Sequence, residues 1–119
     1  MENLDPGHVY QLNDIDGSGH QFLTFVKREG AGYPGNVGHY PGTIIQDVLR
    51  CCIDRLKYVD NQISDIRNDL AIKHLRTAIY NLESRAAERH GIKFTLSTST
   101  DIELLPVGKN GHLLIGAGR

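Results

Sequence analysis

The side chains in this chain that could do chemistry are cations and flat rings. Arg85, Arg89 and His90 close a strongly periodic stretch, and Lys27 and Arg28 lead into a glycine-rich segment carrying Tyr33, Asn36, His39 and Tyr40. A guanidinium presents several N–H donors in a planar fork that matches phosphate oxygens, so a few converging from different segments can bind a diphosphate. Tyr33, Tyr40 and Phe25 offer flat apolar faces on which a purine can stack, a contact worth about 1–3 kcal/mol per base in single-strand binders. Each residue type also has an ordinary role. Cations in the last turn of a helix complement its dipole by about 0.3–1 kcal/mol, an aromatic on a strand, such as Phe25, is more often core than ligand contact, and Asn36 suits a turn. Glycines at 30, 32, 35, 38 and 42 expose successive N–H groups that can cradle an anion, yet no nucleotide-fold fingerprint follows a strand and opens a helix there.

Acids and nucleophiles are not arranged for catalysis. The chain has no Walker lysine loop, no H-E-x-x-H, no C-x-x-C and no G-x-S-x-G. Its histidines, at 8, 20, 39, 74, 90 and 112, include no i,i+4 helical pair of the kind a metal site favours, so they read as scattered surface residues and neither metal nor cofactor is expected. Asp14 and Asp16, beside Gly17-Ser18-Gly19, read as turn-stabilising carboxylates rather than catalytic acids. Thirteen Lys and Arg against fourteen Asp and Glu leave a formal charge of -1, so no global field draws in a nucleic-acid polymer or an anionic membrane, and any anion site must be local. No run approaches the roughly 18 apolar residues of a membrane span, and Met1 to Pro6 lacks the basic head and apolar stretch of a leader. Adjacent Cys51 and Cys52 diverge by about 100° on a helix and do not suit a disulfide with each other. The expected location is the reducing cytoplasm.

Something must hold these groups. A length of 119 residues fits one domain, 1–119, and 39% hydrophobic residues permit a core. From His8 to Asp16 the chain alternates loosely, and after Gly17-Ser18-Gly19 the run His20 to Arg28 has strand preference, so 8–28 reads as a β-hairpin. Glycine and proline exclude helix and central strand over 29–42, a loop long enough, with its interleaved aromatics, to suggest a ligand or partner role. Thr43 and Gln46 form a capping-box pattern ahead of Ile45, Val48, Leu49, Cys52, Leu56 and Val59, which predicts a helix over Ile44–Asn61. Ile44, Cys51 and Tyr58, spaced by seven, form a second seam that a neighbouring protomer or the N-terminal sheet would cover. Arg50 and Lys57 lie on the polar arc with Asp54 between them. That spacing reads first as a solvated face and, if repeated about a symmetry axis, as cations that could meet a multiply charged ligand. Ser64 or Asp65 caps a second helix whose stripe, Ala71, Ile72, Leu75, Ala78, Ile79, Leu82 and Ala86, ends at Gly91. The short turn between the helices predicts an antiparallel αα-hairpin over 43–91. Over 92–119, IKFTLS and IELLPV read as strands, with NGHLLI adding one more beyond the Lys109-Asn110-Gly111 turn. The expected fold class is α+β, an antiparallel αα-hairpin flanked by N-terminal and C-terminal β-strands that form a small antiparallel sheet.

Over positions 48 to 91 the chain resembles the helical hairpin of two groups of bacteriophage anti-defence proteins, the Thoeris anti-defence sponges and the anti-CBASS cyclic-nucleotide sponges. The resemblance is carried by Ile53-Asp54-Arg55, by Asn68 to Ala71, and by Leu82-Glu83-x-Arg85-Ala86-Ala87-Glu88-Arg89-His90-Gly91. Gly32 to Thr43 and the added strands bring it nearer the Thoeris group. It implies a non-enzymatic protein of the infected bacterial cytoplasm that sequesters glycocyclic ADP-ribose signals without degrading them. It also implies a homodimer with pockets between protomers, assembling in some members as a trimer of dimers that takes up CBASS cyclic trinucleotides as well. A ligand role carries over to Arg28, Tyr33, Asn36, His39, Arg85 and Arg89. Lys109 and Asn110 join them from the terminal turn, and Arg50 and Lys57 would serve a second nucleotide site. The competing expectations are an enzyme cleaving the same signal and a structural or adaptor phage protein.

Overall fold

The computed structural model describes residues 1–26, 41–89, 91, 107–109 and 112. Two compact units divide the chain, Met1–Ile44 and Ile45–Arg119. The fold is α+β, with a three-stranded antiparallel sheet in the first unit and two packed helices in the second.

The sheet is a meander of β1 (Glu2–Asp5), β2 (Val9–Asn13) and β3 (His20–Thr24) in that order. Strand β1 was not expected from the sequence, and the reason lies at Pro6-Gly7. Proline presets φ for the second position of a type II turn and glycine accepts the positive φ of the third; Gly7 has φ 83°, and the His8 N–H donates to the Asp5 carbonyl at 2.9 Å. The chain therefore reverses there and pairs Glu2 with Gln11, with a bulge between Asn3 and Asp5. The β2–β3 pairing runs from Val9 opposite Thr24 to Asn13 opposite His20. Its connection spans 14–19 rather than Gly17-Ser18-Gly19 alone, because the Asp14 N–H donates to the Gly19 carbonyl (3.0 Å) and the Gly17 N–H to the Asp14 carbonyl (3.0 Å). Asp16 accepts from the Ser18 hydroxyl (2.6 Å) and N–H (2.9 Å), contacts that hold its carboxyl below the usual range. The two aspartates are turn residues, as their type suggested. Past β3, Phe25 forms a parallel bridge with Thr43.

Helix α1 spans Ile45–Gln62 and α2 spans Ile66–Arg89. Both agree with the spans read from sequence to within a residue or two. Thr43 does not cap α1, because its backbone is engaged with Thr24 and Val26 and the helix opens two residues later. The cap on α2 is Asp65, whose carboxylate accepts the Arg67 N–H at 2.8 Å. Its C-terminal stop is Gly91, at φ 66°, in the left-handed region that favours glycine. The reversal between the helices is tied by Asp60, which accepts from the Asp65 N–H and from Asn68 Nδ2, each at 3.0 Å.

Ile53, Ile72, Ile79 and Ala87 form the buried core of this hairpin, with Leu49, Leu56, Leu75 and Tyr80 packed against it. On α1, Leu49 and Leu56 of the expected stripe pack against this core, while the buried positions are Gln46 and Ile53 and the expected Ile45 and Cys52 are exposed. The C-terminal strand expectations at 92–106 and 113–119 lie outside the described residues. Among the described residues, no helix is long and apolar enough to cross a membrane.

Candidate functional site

Helical geometry places Arg85 and Arg89 one turn apart on the same side of α2, and both are exposed. They stand immediately before the Gly91 stop, where carbonyl groups lose their helical partners and the dipole favours cations. Two forked donor groups so arranged can engage two phosphates, or two oxygens of one. In the first unit, Phe25 is half-buried and meets Tyr10 edge to face, with ring centroids 5.9 Å apart. That contact makes it at least partly a packing residue, in keeping with the ordinary role of a strand aromatic.

Arg28, Tyr33, Asn36, His39, Tyr40, His90 and Asn110 lie outside the described residues. Lys109 is exposed in a turn that the Gly108 N–H closes by donating to the His112 carbonyl at 2.8 Å. Lys57 is exposed on α1, as a polar-arc residue should be. Arg50 is not a member of a solvated face. Its side chain is only 23% exposed and reaches Asp47 Oδ1 at 3.0 Å on one side and Glu83 Oε1 at 3.4 Å on the other.

Glu83 carries chemistry that its residue type alone does not announce. Its side chain is fully buried, with Arg50 at one carboxylate oxygen and His112 Nδ1 3.1 Å from the other. Stripping water from a carboxylate costs several kcal/mol, which attraction to a nearby cation and good hydrogen bonds can offset. Arg50 supplies the cation at 3.4 Å and His112 a hydrogen bond at 3.1 Å. With Glu83 ionised, both partners of that bond cannot be acceptors, so Nδ1 carries the hydrogen. His112 is thus no scattered surface histidine; its side chain is 13% exposed. A signal for Glu83 was present, since it stands four residues after Ile79 and three before Ala86, inside the buried stripe. Nothing in the periodicity near His112 marks it.

Other chemistry is sparse. Among the described residues, no group of three His, Cys, Asp or Glu side chains gathers as a metal site. Cys51 and Cys52 are both free thiols and exposed. Of the second seam on α1, Cys51 and Tyr58 are exposed, and the Arg55 guanidinium lies over the Tyr58 ring at 5.1 Å. No protein-family model matches the chain, and neither does any curated protein or solved structure.

Proposed function

We propose that this chain is a phage anti-defence sponge that binds and sequesters glycocyclic ADP-ribose immune signals, and CBASS cyclic oligonucleotides in addition, without degrading them. The observation that carries the reading is the pair Arg85 and Arg89, exposed one turn apart at the end of a helical hairpin of the length the resemblance implies. Capture without turnover needs donors, stacking faces and exclusion of water, and needs no general base. A sponge competes with a receptor, so it must hold its ligand at nanomolar levels, about -12 kcal/mol. Two arginines cannot supply that alone. The reading therefore recruits Arg28, Tyr33, Asn36 and His39, and a second protomer to complete the pocket in a homodimer or a trimer of such dimers.

Calorimetry of the full chain with glycocyclic ADP-ribose tests this. Saturation at 100 times the dissociation constant stabilises the folded state by about 2.7 kcal/mol, and Arg89→Glu weakens capture much more than it lowers the melting temperature. Unchanged affinity in Arg89→Glu removes that residue from the site. A second reading, a structural or adaptor phage protein, rests on the apolar end of the hairpin, where Ile63, Ile66, Leu70 and Tyr58 are exposed. It predicts no thermal shift with the nucleotide at any dose.

A further inference from the structure

The Arg50–Glu83–His112 cluster joins three parts of the second unit. Arg50 belongs to α1, Glu83 to α2, and His112 lies beyond both helices, past the Lys109 turn. His112 is used twice. Its imidazole is 3.1 Å from Glu83 Oε2, and its carbonyl accepts the Gly108 N–H at 2.8 Å. The first bond pins residue 112 to a fully buried carboxylate, and the second closes the turn that carries Lys109. A hairpin already packed by Ile53, Ile72 and Ile79 has no need of an interior carboxylate; an apolar residue in its place would pack at no desolvation cost. What the charge adds is a directional bond to a segment distant in sequence.

We propose that Glu83 and His112 are positioning residues, a clasp that holds the Lys109 turn on the helical hairpin so that the Lys109 ammonium meets the phosphates of the captured nucleotide. This rests on the sponge reading for the ligand, but the clasp itself does not. Arg50 sets the carboxylate and is in turn steadied by Asp47, so the relay runs from Asp47 through Arg50, Glu83 and His112 to Gly108, the residue before Lys109. Sequestration depends on slow release, and affinity differences within one binding surface fall mostly in the dissociation rate. A clasped turn lengthens the residence time of a ligand it touches. A loose one does not.

Trypsin reads the clasp directly, since Lys109 is itself a cleavage site in the turn. His112→Ala removes the imidazole bond, and His112→Asn restores a donor close to the Nδ1 position. The expected result is that His112→Ala raises the rate of cutting after Lys109 about tenfold or more relative to cutting after Arg76, within α2. Dissociation of glycocyclic ADP-ribose accelerates by a similar factor, and His112→Asn returns both rates toward those of the wild-type chain. A wild-type cutting ratio in His112→Ala overturns the clasp. Faster cutting with unaltered ligand dissociation overturns the positioning role. A wild-type chain that retains no glycocyclic ADP-ribose refutes the sponge reading and the role given to Lys109, while the cutting ratio still decides whether the clasp exists.

Discussion

The two units are stabilised by different means. In the helical hairpin, Ile53, Ile72, Ile79, Ala86 and Ala87 are buried, and even a carboxylate is taken fully out of water. In the sheet, no described residue reaches that degree of burial, and Leu4, Leu12 and Phe22 are substantially exposed. Three short strands make one layer, and one layer cannot enclose a core. What specifies the sheet is turn chemistry: Pro6-Gly7 at one reversal and the Asp14–Gly19 network at the other. The hairpin is instead specified by side-chain packing between two helices, of which α2 is capped by Asp65 and stopped at Gly91. Substitutions should therefore act through volume in one unit and through backbone geometry in the other.

The largest effect expected from this contrast is in the hairpin core. Ile79→Ala removes a side chain that is 1% exposed and should cost about 2–5 kcal/mol in denaturant unfolding. Its counterpart in the sheet, Phe22→Ser, alters a side chain that is 61% exposed and should change stability by no more than about 0.5 kcal/mol. Equal costs for the two would break the comparison. Next in size is Gly42→Ala. A Cβ at residue 42 would stand 2.4 Å from the Phe25 carbonyl carbon and the Val26 nitrogen, both backbone atoms that cannot rotate away. That crowding should part the Phe25–Thr43 bridge and cost about 1–3 kcal/mol, visible as lost amide protection at Val26 and Thr43 with α1 and α2 unaffected.

The smallest effect is a response to acid. Asp60 is held below the ordinary carboxylate range, first by the Asp65 N–H and then by the Asn68 amide. Asp65 is lowered by the Arg67 side chain and N–H, and Asp16 by the Ser18 hydroxyl and N–H. A folded-state pKa below the unfolded one contributes stability that is present above the unfolded value, about 3.9, and is lost as pH falls through the lowered value. Amide exchange at Ser18, Asp65 and Arg67 should consequently rise, beyond its intrinsic pH trend, only below about pH 4. Loss of protection between pH 5 and 7 at these amides would contradict the assignment.

The helices were legible because their signals are local. Ile72, Leu75 and Ile79 repeat at helical spacing, Asp65 caps, Gly91 stops, and the structure puts α2 at Ile66–Arg89 accordingly. The face of α1 was legible in part: Leu49 and Leu56 of the expected stripe do pack on the core, but that Ile53 rather than Ile45 is buried depends on the partner helix and not on the α1 pattern alone. Strand β1 was missed because Glu2 to Asp5 is polar and exposed, so its membership depends on pairing with β2 and on a turn rather than on its own pattern. Of the candidate site, Arg85 and Arg89 stood out by type and position. Glu83 did not, because a charge inside a buried stripe reads as a break in the stripe until its partners are known. His112 is one of those partners, twenty-nine residues away, and no local pattern encodes such a pairing.

Mass spectrometry of what the protein carries separates capture from turnover. The full chain is incubated with glycocyclic ADP-ribose, separated from free nucleotide, and denatured by heat to release what it held. For a sponge, the expected result is that the messenger disappears from the free pool and returns from the denatured protein with its mass unchanged, in proportion to the protein added. Recovery of a linear or cleaved product, or a free pool that is never depleted, would contradict it.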